Sequence, residues 1–275
     1  ISGTIESFIK GVKAGGKQAY TEYRGKNFIR EYLAGKISAF TGANINFDEE
    51  IIMTPGTQGA LFLAMGANIM PEDKVAIVEP DYFANRKLVT FFGGIIIPIQ
   101  MKYTNYSDRA GIDLTELEEA FKLGVKLFVF SNPNNPTGVI YSHEEICSIA
   151  WLAKKYGVTV IADELYSRQI FDGRKYTHLC GQNALPDNLI TIIGPSKTES
   201  LSGYRLGVAF GSPAVIERME KLQAIMSLRC SGYNQAVFMN WFSEPDGWME
   251  ERIAQHQAIR DDLVDMLQKV KGVEV

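Results

Sequence analysis

Three cysteines in 275 residues, none in a C-x-x-C pair, leave little from which to build a disulfide framework. Three histidines likewise leave no cluster of the kind a structural or catalytic metal requires. Cys147, Cys180 and Cys230 are scattered along the chain, which fits a reduced, cytoplasmic setting. Surplus positive charge is missing too. Lys and Arg number 28 against 32 Asp and Glu, for a net charge of -4, which argues against nucleic acid as the main partner. The most apolar stretches, such as 91–100, are broken by glycine or proline and fall well short of the roughly 20 residues that span a bilayer. Neither a signal-peptide pattern, an internal repeat nor a low-complexity linker is found. What is present, 46% hydrophobic and 22% charged residues, suffices to bury a large core and predicts one large domain, or one and a part. The sequence opens on Ile1 rather than Met, and 272–275 reads as a helix end running into a new strand. Both termini of the native protein are therefore expected to lie outside this sequence.

Strand and helix patterns alternate. Buried strands are expected at 51–54, 74–79, 94–101, 126–131, 158–162, 190–193 and 208–211. Helices are expected at 4–13, at 27–40, from Pro55 to about Met70, up to about Phe92, from Pro213 to about Met226, and over 248–271. Two further helices start at capping boxes, Asp113 with Glu116 and Ser142 with Glu145, and Ser212-Pro213 supplies a cap with proline at the first helical position. Such alternation implies an α/β fold, a mostly parallel sheet covered on both faces, with sites at the carboxyl ends of the strands.

Candidate residues cluster at those ends. Pro55-Gly56-Thr57-Gln58 follows a strand and opens a helix, so glycine, free N–H groups and a hydroxyl outline an anion site, though without the Gly-Lys-Ser/Thr ending of a Walker loop. Tyr82 sits after Glu79-Pro80, where a ring either stacks on a planar ligand or packs into the core. Asn132-Pro-Asn-Asn135-Pro-Thr-Gly138 is a rigid turn that is either purely structural or aims the Asn135 amide at a ligand. Asp163 emerges from a buried strand and needs a cationic partner, whether a ligand or an Arg or Lys of the chain. Glu164 beside it reads as structural.

The strand at 190–193 ends at Gly194-Pro195, and Lys197 follows. Partial desolvation there would lower the ammonium pKa and make the amine nucleophilic. Arg205, eight residues on, offers a planar fork for phosphate or carboxylate. Taken alone, the pair is equally a surface lysine and arginine in a loop.

The stretch S-K-T-x-S-x-S-G-Y-R-L-G from Ser196 to Gly207 resembles the lysine signature of the class I/II aminotransferases, fold-type I enzymes that use pyridoxal 5'-phosphate. The motif N-P-x-N-P-T-G at 132–138 is similarly specific, and matching motifs run in order from Tyr20 to Arg205. The resemblance implies a three-layer α/β/α large domain that binds pyridoxal phosphate over 1–250, with 251–275 leading into a truncated C-terminal small domain. It implies Lys197 as the Schiff-base lysine and proton carrier. Asp163 would face the ring nitrogen, Tyr166 and Asn135 the phenolic oxygen, and Tyr82 the ring face. Gly56, Thr57, Gln58 and Arg205 would hold the phosphate, with Tyr20 reaching the cofactor of the partner subunit in a homodimer. The expected reaction moves an amino group between an amino acid and a 2-oxo acid. A C–S lyase of the same fold and a non-catalytic ligand-sensing domain share these motifs.

Two departures accompany the resemblance. The family's arginine for the substrate α-carboxylate lies in a C-terminal portion beyond this sequence. Glu199 stands where relatives commonly carry an apolar residue, either paired with a cation or marking an unusual substrate pocket. Arg229, in the polar loop 227–235, is expected to touch substrate or phosphate, or else to make a surface salt bridge.

Overall fold

The protein is described from a computed structural model, which covers residues 1–102, 110–273 and 275. α1 (Thr4–Lys13), α2 (Gly16–Ala19) and α3 (Asn27–Thr41) open the chain. The sheet then begins with β1 (Ile51–Pro55), α4 (Gly56–Gly66), β2 (Lys74–Glu79), α5 (Phe83–Phe91) and β3 (Ile95–Lys102). It continues through β4 (Gly111–Ile112), α6 (Leu114–Lys122), β5 (Leu127–Ser131), α7 (His143–Tyr156), β6 (Thr159–Asp163), β7 (Leu189–Ile193) and β8 (Leu206–Gly211). α8 (Pro213–Met226) and α9 (Trp248–Leu267) follow.

Among the described residues the strands form one eight-stranded sheet in the order β1-β8-β7-β6-β5-β2-β3-β4. β3, β2, β5, β6 and β7 run parallel, whereas β8 is antiparallel to both β7 and β1, and β4 is antiparallel to β3. The mostly parallel α/β architecture expected from the alternation is therefore present, with an antiparallel insertion that hydrophobic patterning does not reveal.

Side-chain alternation along the strands builds two cores. Val75 and Ile77, Leu127 and Val129, and Ile190 and Ile192 face one side, where Leu61, Met65, Val89 and Met219 of α4, α5 and α8 cover them. Ala76 and Val78, Phe128 and Phe130, and Val160 and Ala162 face the other, under Leu33, Leu117 and Ile149 of α3, α6 and α7. Burial on both faces is what a parallel sheet demands, and it accounts for strands that read as continuous apolar runs.

Several element ends depart from expectation. α4 stops at Gly66 instead of Met70, because the Asn68 amide takes the Ala64 carbonyl at 2.7 Å and closes the helix. α9 stops at Leu267 rather than Lys271, in a turn closed by Val270 N–H on the Leu267 carbonyl. Asp113 caps α6 by accepting from Thr115 and Glu116 N–H, both at 3.1 Å, but no reciprocal box forms because Glu116 accepts from Gln100 N–H instead. Ser212 does not cap α8. Its hydroxyl accepts from Leu189 N–H and donates to the Asp187 carbonyl, tying the helix start to β7. The reciprocal box at Ser142 and Glu145 is formed as expected. The strand expected at 272–275 includes Glu274, which lies outside the described residues.

Phe128 is fully buried in the sheet and stacked on Phe130, with ring centroids 5.1 Å apart. Phe128→Ala is expected to destabilise the fold by about 3–5 kcal/mol, read as a lowered midpoint in urea unfolding.

Candidate active site

The parallel strands end on one edge of the sheet, and the chain places its chemistry there. Register sets Asp163 beside Ser131 of β5 on one side and Ile192 of β7 on the other. β1 points the same way as β7, so Gly56 and Thr57 at the start of α4 reach this edge. β8 starts from it, directly after Arg205.

Glycines make this convergence possible. A Cβ on Gly207 would lie 2.3 Å from the Gly56 carbonyl carbon and 2.4 Å from Thr57 N, so β8 passes against the first turn of α4 with no room for a side chain. Gly56 has φ +77°, and a Cβ there would meet the Arg205 guanidinium at 2.6 Å. Arg205 is itself left-handed, with φ 53° and ψ 54°, after a 3₁₀ turn at Ser202–Tyr204, and its Nη1 donates to the Ser202 carbonyl at 2.9 Å. The guanidinium thus rests on the N-terminus of α4, where helix N–H groups without intrahelical partners and a fixed positive charge meet.

These elements enclose a cavity of about 200 Å³ lined by Thr57, Gln58, Tyr82, Asn135, Asp163, Tyr166, Lys197 and Arg205 among others. Eight of the ten residues singled out from the sequence therefore face one space. Gly56 does not line it but makes room beneath Arg205. Tyr20 lies elsewhere, 77% exposed on a separate concave surface with Glu22 and Phe28. Ser131, Ser196 and Ser202 also line the cavity and had been assigned no role, although each sits next to or within a quoted motif.

Asp163 is the electrostatic centre. Its carboxylate accepts from Leu165 N–H at 3.2 Å, and among the described residues no Lys or Arg nitrogen lies within 4 Å of it. Burial, with further contributions from the charges of Asp81 and Glu164, pushes it up to about 7. Tyr166 and Tyr82 are raised by burial and by the Asp163 charge, so both phenols keep their protons. The Tyr82 hydroxyl donates to Gln58 Oε1 at 3.1 Å, which turns the Gln58 side chain toward the ring.

Two expectations need correction and one pair of alternatives is decided. Lys197 is not desolvated: it is exposed, while Ser196 and Thr198 on either side are buried. Of the two alternatives for Glu199, pairing with a cation is the one observed. Glu199 is buried against Arg168 at 2.5 Å and the Trp241 indole N–H at 3.1 Å, and Arg168 is shared with Glu244. Among the described residues Arg229 makes neither a salt bridge nor a contact with the cavity, because its guanidinium donates to the Thr21 carbonyl and lies 4.6 Å from the Tyr20 ring centre. Glu164 is structural as expected, bonded to His178 Nδ1 at 2.5 Å.

The family model described as aminotransferase class I and II matches residues 4–275. The chain belongs to this family. Its members depend on pyridoxal phosphate. The aspartate aminotransferase of Sulfurisphaera tokodaii is 30% identical over 94% of this chain and 64% of its own length. That of Sulfolobus acidocaldarius is likewise 30% identical, over 95% of this chain and 64% of its own length. A solved aspartate aminotransferase from Rhodobacter sphaeroides is 60% identical, with a TM-score of 0.98, covering 100% of this chain and 71% of that one. The chain thus spans a little under two thirds of the curated relatives' length.

The raised Asp163 pKa sets a pH dependence of stability. A folded value of about 7 against an ordinary carboxylate of 3.8 means the folded protein binds more protons between these pH values, so this group's contribution weakens as pH rises from about 4 to 7. In protein freed of bound small molecules, Asp163→Asn is expected to be more stable above pH 7, by at most on the order of 4 kcal/mol, with little difference at pH 4. Urea unfolding at both pH values checks this, and an equal effect at both would contradict the assignment.

Proposed function

We propose that this chain is the cofactor-binding portion of an aminotransferase, a transferase that moves the amino group between an amino acid, aspartate in the first instance, and a 2-oxo acid. The observation that carries the reading is Asp163, a buried carboxylate with no ion-pair partner among the described residues, in a cavity that also presents Lys197 and Arg205. A protonated pyridine nitrogen supplies the missing charge. The cradle of Gly56 and Arg205 at the start of α4 suits the phosphate of the same molecule. The family's dependence on pyridoxal phosphate, and relatives named as aspartate aminotransferases, support it further.

When bound, pyridoxal phosphate supplies an aldehyde that accepts an amine and an electron-poor ring that acidifies the adjoining substrate C–H. The chain supplies placement and proton transfer. Asp163 holds the proton at the ring nitrogen. Lys197 Nζ is the nucleophile and then carries a proton from the substrate Cα. Tyr166, kept protonated by its surroundings, and the Asn135 amide donate toward the phenolic oxygen, while Tyr82 stacks on the ring. Arg205 and the first N–H groups of α4 at Thr57 and Gln58 bind the phosphate.

The reading extends to a homodimer with active sites at the interface, supported by Tyr20, which stands 77% exposed and outside its own chain's cavity. Residues 1–250 form the cofactor-binding domain, and α9 leads from it toward a small domain, in keeping with the absence of any buried residue on α9. Three free thiols support a reducing, cytoplasmic compartment, and among the described residues no helix is long and apolar enough to cross a membrane.

Titration with pyridoxal phosphate is expected to give an absorbance band characteristic of a lysine-linked cofactor. Lys197→Ala should abolish the band, and Arg205→Ala should weaken affinity about 10- to 100-fold. In the full-length protein, Lys197→Ala should slow amino transfer from aspartate by at least about 100-fold. No band in the unmutated protein would sink the reading. Elimination products from a panel of amino acids would point to a C–S lyase, and binding without turnover to a sensor.

A further inference from the structure

We propose that Asp81 is a positioning residue for this site, one that fastens the backbone of Tyr82 and the turn of Asn135 into a single unit and sets a second negative charge near Asp163. The inference rests on the pyridoxal phosphate reading above.

Asp81 carries no assigned role in the sequence, falling between Pro80 and Tyr82 just past the end of β2. In the fold its carboxylate turns inward onto the end of β5. Oδ1 accepts from Tyr82 N–H at 2.6 Å and from the Ser131 hydroxyl, and Oδ2 accepts from Ser131 N–H at 3.0 Å. Because the single hydroxyl proton of Ser131 goes to Asp81, its lone pairs are left for other donors. They accept from Asn135 N–H at 3.1 Å and from the Asn134 amide at 3.4 Å. Asn134 closes the turn, donating to the Pro80 carbonyl and accepting from Thr137 N–H and its hydroxyl. Two arms of donors thus converge on Asp81, one from the backbone N–H of Tyr82 and one from the backbone N–H of Asn135 by way of the Ser131 hydroxyl. Three donors converge on the two oxygens of Asp81. An asparagine can accept only at one atom, and its NH₂ would confront one of those donors.

Charge gives Asp81 a second role. Its carboxylate is held by Ser131, the residue paired with Asp163 in the β5–β6 register, so the two acids lie one strand neighbour apart; burial pushes Asp81 up to about 6, and its charge is among the causes that raise Asp163. The groups that share this field are Glu164 beside Asp163, the phenols of Tyr82, Tyr166 and Tyr176, and Tyr141, whose buried hydroxyl has no partner and which feels both Asp81 and Glu145. Lys197 and Arg205 are the cations lining the cavity. A second anion near Asp163 favours a protonated ring nitrogen, so Asp81 strengthens the hold of the site on the charged form of the ring.

The test compares Asp81→Asn, Asp81→Ala and Ser131→Ala with the unmutated protein by two readouts. One is pyridoxal phosphate affinity from the absorbance titration. The other is the pH midpoint of Asp163 in cofactor-free protein, followed by carboxyl carbon NMR and assigned with Asp163→Asn. Asp81→Ala is expected to weaken affinity about 30-fold and Asp81→Asn about 5-fold, each with a lowered Asp163 midpoint. Ser131→Ala should weaken affinity while moving that midpoint less than either Asp81 variant does, because it breaks the bond chain and keeps the Asp81 carboxylate. Affinity within about twofold of the unmutated protein in all three variants, or an unmoved Asp163 midpoint in both Asp81 variants, overturns the proposal. Should Asp81→Ala fail to fold, Asp81→Asn and Ser131→Ala decide it. Absence of an absorbance band in the unmutated protein defeats the cofactor reading, whereas the Asp163 midpoint reports on Asp81 whether or not the cofactor binds.

Discussion

A carboxylate buried at the end of a parallel strand, with no cation paired to it among the described residues, is the constraint around which this molecule is arranged. Asp163 owes its position to β6, whose flanks β5 and β7 are parallel to it and fully buried. A sheet covered on both faces leaves only the strand ends free to carry polar chemistry. Leaving a charge there is costly unless a ligand brings the opposite one. The fold tolerates Asp163 by raising its pKa, and that strain is relieved by any cationic group placed against it.

The other requirement is close approach. Gly207, Gly56 and Gly194 let β8, the start of α4 and the end of β7 press together where side chains would collide. The result places Arg205, in a left-handed conformation, over the start of α4, two strands from the buried carboxylate. The antiparallel course of β8 matters here. It returns the chain from the lysine loop to β1, so Lys197 and Arg205 end at the same edge as residues 150 positions earlier.

Much of this was legible in the sequence, for physical reasons. Buried parallel strands are continuous apolar runs, so β2, β5, β6 and β7 announced themselves, and punctuation such as Gly194-Pro195 marked where they stop. Eight of the residues facing the cavity were legible because each belongs to a motif next to a strand end, whereas Ser131, Ser196 and Ser202 carry no side-chain signature of their own. Long-range partners were not. Nothing local in Asp81 tells that it will bond Ser131, 50 residues away, or that Glu199 will be claimed by Arg168 and Trp241. Glu116 and Ser212 were read as local caps because the competing donors, Gln100 and Leu189, arrive only with the tertiary fold. The exposure of Lys197 likewise follows from how the loop tucks its neighbours inward, which composition does not encode.

The central claim is that Asp163 exists to face a protonated ring nitrogen. Nitrogen NMR of the protein loaded with pyridoxal phosphate labelled at that atom tests it most directly. The account predicts a protonated ring nitrogen at neutral pH in the unmutated protein and an unprotonated one in Asp163→Asn. An unprotonated nitrogen in the unmutated protein, or the same protonation in both, would contradict it.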